Sequence, residues 1–205
     1  MNRTIIFDVC GTLFFSNTTF DFVKYYHMHK KNKLKSFFIK RLTGNLGKVM
    51  HRFLNISIRK LIISTLKGEL VSDVEYLAAE FVRSNLENKK IESIFNEFTQ
   101  LKKNNNVVLV SASIEPVIKS IAELYGVYFQ CSELEIKNEK YTGIISKDLK
   151  GNKHLYIDSA SAFYSDNLDD LACSFMVENF YFIRHKMSNR YKAFDYSENV
   201  EVINV

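Results

Sequence analysis

Three aspartates, Asp8, Asp166 and Asp170, are the residues whose surroundings best suit them to chemistry. Asp8 closes the apolar run Thr4-Ile5-Ile6-Phe7 and is followed by Gly11-Thr12, the pattern of a buried strand ending in a turn. A carboxylate at the carboxyl end of such a strand faces the crevice where open α/β sheets bind ligands, and there it can act as nucleophile, metal ligand or both. Asp166 likewise follows a short apolar strand, Ala162-Phe163-Tyr164, and Asp170 lies one helical turn beyond it. Oxygen donors so spaced suit Mg²⁺, which keeps several waters and takes one or two carboxylates plus substrate phosphate. The same cluster would also favour the positive end of a helix dipole without any metal. A further apolar run, Val107 to Val110, ends at Ser111; Ser113 is then placed to cap a helix from Ile114 through Leu124, stopped by Gly126. Hydroxyl and amide groups at a helix start form an anion site. Further along the chain, Thr142-Gly143 is followed by Lys147, Lys150 and Lys153.

In chain order, Asp8-Val9-Cys10-Gly11-Thr12-Leu13, Ser111-Ala112-Ser113, Gly151-Asn152-Lys153-His154-Leu155 and Ser165-Asp166-Asn167-Leu168-Asp169-Asp170 resemble the motifs of the haloacid dehalogenase superfamily. Within it they are most similar to the first subclass, which includes phosphoserine phosphatase. The resemblance implies an α/β fold, a Rossmann-like parallel sheet with an inserted α-helical cap, with 1–16 and 104–205 as core and 17–103 as cap. It implies a phosphatase or phosphotransferase that uses Mg²⁺ and an aspartyl-phosphate on a small phosphorylated substrate. Asp8 would be the nucleophile and, with Asp166 and Asp170, serve the metal; Ser111, Ala112 and Lys153 would hold the phosphoryl group. Lys150 competes with Lys153 for its role, because the helix expected after that lysine is cut short by the strand at Tyr164. Asn167 stands where the family often has Ser or Gly.

The departure is Cys10. Most phosphatases of the superfamily have a second Asp there, which protonates the leaving group and later activates water. A thiol, with an ordinary pKa of about 8.5, is largely neutral at pH 7 and a poor proton shuttle for an alkoxide. The catalytic pair is thus Asp8 and Cys10, with slow hydrolysis, or transfer from a good leaving group, as one outcome. A catalytically impaired protein that binds a phosphorylated ligand or a partner is the alternative. Dehalogenase chemistry, which also lacks the second Asp, works without the metal that Asp166 and Asp170 look built to hold; a redox role for Cys10 has no further support. Within the first subclass, Asp-Phe-Cys-Gly-Thr-like variants that resemble this string occur among proteins linked to bacterial envelope polysaccharide synthesis, which bears on pathway rather than chemistry.

The elements that must position these residues are legible from periodicity. From Thr18 to Lys103 the apolar spacing is helical: Phe20, Val23 and Tyr26; Phe37, Phe38 and Leu42; Val49, Met50 and Phe53; Ile58, Leu61 and Ile62; then Ile91, Ile94, Phe95 and Phe98. Gly44 and Gly47 bracket a break, Lys67-Gly68 reads as a helix end, and Ser72 with Glu75 reads as a capping box. Phe129 to Ser132, and Leu134 to Lys137 paired with Tyr141 to Ile145 around Asn138-Glu139, read as strands; so do Phe180 to Ile183 and Val200 to Val205. With 205 residues, 46% of them hydrophobic and 14% aromatic, the chain can bury a core, which excludes a disordered class. No apolar run approaches the roughly 20 residues of a membrane-spanning helix, and no secretion signal is evident. Cys10, Cys131 and Cys173 show no paired or metal-site spacing, so a reducing, cytoplasmic setting is expected. The net charge of +5 is concentrated in Lys24, Lys30, Lys31, Lys33, Lys35, Lys40 and Arg41. That run is either a solvated face or a surface for an anion, including peripheral contact with a membrane; no nucleic-acid motif accompanies it. Oligomeric state is not legible.

Overall fold

A computed structural model describes residues 3–44, 57–185 and 199–205. Gly47, Val49, Met50 and Phe53 of the anticipated helical pattern lie outside those residues. The elements are β1 (Thr4–Phe7), α1 (Thr18–His29), α2 (Lys33–Leu42), α3 (Ile58–Ser64), α4 (Val71–Phe81), α5 (Glu92–Leu101), β2 (Asn106–Ile114), α6 (Glu115–Tyr125), β3 (Tyr128–Lys137), β4 (Lys140–Lys147), β5 (Ala160–Ser165), β6 (Val177–Arg184) and β7 (Val200–Asn204). Short 3-10 turns occupy Lys153–Tyr156 and Leu168–Met176.

The strands form one sheet in the order β4-β3-β2-β1-β5-β6-β7. All neighbours are parallel except β3 and β4. The chain winds outward from β1 through β2, β3 and β4, then returns to the opposite flank of β1 and winds outward again. The reversal opens a crevice beyond the carboxyl ends of β1 and β5, where Asp8 and Asp166 emerge. β1 can sit at the centre because its side chains are apolar on both faces: Ile5 and Phe7 join one core, Ile6 the other. Phe7 stacks on Tyr164 with ring centroids 4.3 Å apart, and Tyr164 stacks on Tyr181 at 4.5 Å, following the strand register. This ladder ends one residue before Asp8 and two before Asp166, so ring packing sets where both acids leave the sheet.

Three expectations about local structure are corrected. Ser72 and Glu75 form no capping box: α4 starts at Val71 with Leu70 at its cap, and Glu75 pairs with Lys119 at 2.9 Å. The cause is tertiary, because Val71 N–H donates to the Glu139 carbonyl and Leu70 bridges Lys140, which fixes the backbone before Ser72 is reached. Ser113 does not cap α6; β2 continues through Ile114, and the Ser113 hydroxyl is taken by Thr18 and Thr19. The two strands expected between Phe129 and Lys137 are one, parallel to β2 in its first half and antiparallel to β4 in its second. Asn138 and Glu139 join β3 to β4 with φ of 50° and 59°, the double left-handed turn that matches strand twist.

The helices between β1 and β2 do not all pack alike. α1 packs on α2, α3 and α4, α4 lies on α6, and α3 lies on β4 of the hairpin. Gly143, in β4, makes this approach possible: a Cβ there would lie 2.9 Å from the Ser64 carbonyl oxygen. α5, which the expected division assigns to the helical insertion, lies on the sheet, with Phe98 edge-on to Phe7 at 5.4 Å.

Candidate active site

Asp8, Cys10, Ser111, Ala112, Lys153 and Asp166 line one cavity of about 280 Å³, joined by Asn17, Thr19, Arg59, Lys150 and Asn167. Residues drawn from five separate stretches of sequence therefore meet at the crevice that the winding reversal creates. Asp8 is 4% exposed and faces Lys153, whose Nζ lies 2.9 Å from Asp8 Oδ1. That contact is ionic without the alignment of a hydrogen bond, so Oδ1 is a buried acceptor with no directed donor among the described residues. Lys153 is 2% exposed, and its ammonium also donates to Asp170 Oδ2 at 2.7 Å. Burial works against its charge, but the carboxylates of Asp8 and Asp170 outweigh burial and hold it above the ordinary lysine range. Lys150 stands exposed on the rim, so Lys153 is the lysine in contact with Asp8.

Asp170 does not line the cavity. Its Oδ2 accepts from both Lys153 and the Ser165 hydroxyl, the latter at 2.5 Å, which places Asp170 behind the lysine. Asp166 does face the cavity, with its backbone N–H donated to Thr12 Oγ1 at 3.1 Å. Burial, then the charge of Asp8, pushes the Asp166 carboxyl up to about 7, with Lys153 opposing. The Ser111 hydroxyl is buried and accepts the Ser113 N–H at 3.3 Å, while the Ala112 carbonyl accepts from Ser132 and Arg59.

Cys10 is held by its neighbours. Its Sγ lies 3.0 Å from Thr18 Oγ1 and accepts the Thr18 N–H at 3.4 Å. Thr18 Oγ1 in turn meets Ser113 Oγ at 2.5 Å. Burial, reinforced by the charge of Asp8, pushes the thiol up from its ordinary value. The group at this position is thus a neutral thiol in a hydroxyl network.

Sequence reasoning missed Arg59. From α3 it reaches both carboxylate oxygens of Asp148 at 2.8 Å and the Ala112 carbonyl at 2.6 Å. Its one local signal was a cation interrupting the apolar stripe Ile58, Leu61, Ile62.

The sequence profile of haloacid dehalogenase-like hydrolases matches residues 5–174. The chain belongs to this family. Among solved structures, this haloacid dehalogenase-like chain is similar to a protein of unknown function from Bordetella pertussis Tohama I, with a TM-score of 0.72, 17% identity and coverage of 89% of this chain and 91% of that one. It is similar to phosphoserine phosphatase in its apo form, with TM-score 0.58, 16% identity and coverage of 89% and 86%. It is also similar to cytosolic 5′-nucleotidase IIIB bound to cytidine, with TM-score 0.61, 12% identity and coverage of 98% and 80%. At these identities the likeness is one of fold. No curated protein gives a significant sequence match.

For a haloacid dehalogenase-like site, the fit to Mg²⁺ rests on two observations. Asp8 Oδ1 is buried without a directed donor, and Asp166 is pushed toward its neutral form by burial and then by the charge of Asp8. Both describe negative charge that one lysine does not neutralise and that a divalent cation would. Among the described residues no three His, Cys, Asp or Glu side chains make a ready-formed cage. Mg²⁺ does not require one, because two carboxylates plus water and substrate oxygens suffice.

Two predictions arise from this geometry. Asp166 is raised in the fold, so the folded metal-free protein binds a proton that the unfolded chain releases. Its contribution to stability is present below pH 4 and is lost as pH rises through about 7. Relative to Asp166→Asn, the metal-free wild type should lose about 1–2 kcal/mol between those limits, the partly exposed side chain reducing the full linkage. Urea unfolding at a series of pH values, in chelator, reads this difference; parallel curves for the two proteins would refute it. Gly11 has a φ of +73°, and a Cβ built there would lie 2.1 Å from Asp166 Oδ2. Gly11→Ala should cost about 1–3 kcal/mol from backbone strain and side-chain displacement. It should also weaken Mg²⁺ binding, which calorimetric titration of the two proteins would reveal.

Proposed function

We propose that this cleft hydrolyses phosphate monoesters through an aspartyl-phosphate on Asp8, with Asp8 and Asp166 the residues that would hold Mg²⁺. The observation that carries this reading is the buried Asp8 carboxylate, held against Lys153 with one oxygen lacking a directed donor. Bound Mg²⁺ supplies the positive charge that lets a phosphate dianion approach two carboxylates. Asp8 attacks phosphorus, forming a new O–P bond as the bond to the leaving oxygen breaks. Lys153, steadied by Asp170, offsets charge on Asp8 and on the phosphoryl oxygens. Ser111 and Ala112, which line the same cavity, would hold the phosphoryl oxygens. The leaving alkoxide takes its proton from solvent, because the enclosed thiol of Cys10 is a weaker acid than a free one. Water then attacks phosphorus, releasing inorganic phosphate and restoring Asp8. Good leaving groups should therefore be favoured strongly over alkyl phosphates.

The helical lobe of α1 to α4 acts as the cap, with Thr19, Phe20 and Arg59 its contribution to the cleft. We place the protein in the cytoplasm and its substrate among small phosphorylated metabolites. Sugar and lipid phosphates come first, on the likeness of the Asp8-to-Thr12 string to envelope polysaccharide proteins. The test is hydrolysis of an activated aryl phosphate with Mg²⁺ and with chelator. Metal-dependent turnover is the expected result, and none above background in either condition would exclude phosphatase action on such esters. A second reading, a phosphate-binding protein without turnover, is favoured by Cys10 alone. Beryllium fluoride separates the two, since a competent Asp8 forms the phosphoaspartate mimic even when hydrolysis is slow.

A further inference from the structure

One surface of the helical lobe is used by nothing described above. Helix α2 carries Leu34, Phe37, Phe38 and Arg41 on its outer side, spaced as one face. Leu34 is 85% exposed, Phe37 59% and Phe38 45%, and Met28 at the end of α1 is 58% exposed. The inner side of α2 is separately satisfied by buried Ile39 and Leu42. The outer apolar residues are therefore not needed to seat the helix. Around them stand Lys24, Lys31, Lys33, Lys40 and Arg41, all exposed, none with a carboxylate partner among the described residues. Lys30 and Lys35, by contrast, are engaged by Asp73 and Glu69. From Phe22 to Gly44 the sequence contains no acidic residue. The Arg41 guanidinium lies 5.1 Å over the Phe37 ring, so cation and aromatic share one patch.

Large apolar side chains in water cost free energy unless something covers them, and free cations around them select a negatively charged cover. We propose that the outer face of α2 is a docking surface for an anionic lipid bilayer. Leu34, Phe37 and Phe38 enter the acyl–headgroup boundary while Lys31, Lys33, Lys40 and Arg41 meet lipid phosphates. A peripheral helix of this kind lies in the interface plane, consistent with the absence among the described residues of any helix long and apolar enough to cross a membrane. The geometry also relates this face to the cleft. Asn17, Thr19 and Phe20 at the start of α1 line the cavity, and Met28 near its other end belongs to the patch. Asn17 precedes Met28 by eleven residues and Phe20 precedes it by eight, a separation of about 12–16 Å along the helix.

The test is co-sedimentation of the full chain with vesicles of phosphatidylcholine alone and of equimolar phosphatidylcholine and phosphatidylglycerol. Binding is expected only to the anionic vesicles and should fall with salt. Replacing Lys33, Lys40 and Arg41 together by Glu should lower partitioning by at least about fivefold for each charge removed. Leu34→Ser with Phe37→Ser should lower it by at least about tenfold. Neither set touches the cleft, so aryl phosphate turnover in solution is expected to stay at the wild-type rate, keeping this test separate from that of the active site. Equal binding to both vesicle types, no binding to either, or binding that survives the charge reversals would overturn the proposal. So would sedimentation velocity showing that the Ser variants abolish a dimer while vesicle binding is absent, since a second copy would then be the cover.

Discussion

Asp8→Asn should abolish aryl phosphate hydrolysis, with a loss of at least about 10⁴-fold, since removing a covalent nucleophile leaves only binding and electrostatic assistance. The amide keeps the volume of the carboxylate but cannot attack phosphorus, and it withdraws one charge from the metal position. The same substitution should not unfold the protein. Asp8, Asp166 and Asp170 surround a single buried lysine, and the charge of Asp8 raises both other carboxyls. Deleting that charge relieves repulsion, while Lys153 keeps Asp170 as partner at 2.7 Å. The metal-free variant is therefore expected to melt at or above the wild-type temperature, a combination typical of strained functional groups. Kinetics and calorimetry on one preparation read both effects. Retained turnover would remove Asp8 from the mechanism, and a large drop in melting temperature would show that its role is structural.

Cys10→Asp should raise turnover of alkyl phosphates by about 10²–10⁴-fold, the usual worth of a positioned general acid–base group. The surroundings favour it. Position 10 lines the same cavity as Asp8, and Thr18 offers both an N–H and a hydroxyl where the thiol now sits. Burial and then the charge of Asp8, which push the thiol up, would also keep a carboxyl there protonated long enough to donate to a leaving oxygen. The gain should be largest for poor leaving groups and small for activated aryl esters, which need no acid. A plot of rate against leaving-group pKa for both proteins checks this, with a shallower dependence expected in the variant. No change across the series would mean that proton transfer is not what Cys10 limits, and would favour ligand binding without turnover.

Much of the site was legible along the chain because each part is local in origin. Strand-ending acids after Thr4–Phe7 and Ala162–Tyr164, a glycine in the turn after Asp8, and a hydroxyl after Val107–Val110 each follow from short-range pattern. The family is legible for the same reason, since its motifs are short strings at strand ends. What the chain could not decide is which side chains turn toward one another across distance. The choice of Lys153 over Lys150 rests on burial between Asp8 and Asp170, charges far apart in sequence. Asp170, read as a metal acid, stands behind that lysine because Ser165 and Lys153 both claim its Oδ2. The capping role of Ser72 failed because the Val71 N–H donates to the Glu139 carbonyl and fixes the backbone one residue earlier, and that of Ser113 because Thr18 and Thr19 engage its hydroxyl. Arg59 became visible only once its helix was folded over Ala112. Sequence by itself determined the elements and the chemical types at their ends; only the tertiary structure decided partners, because a buried polar group bonds to whatever packing brings within reach.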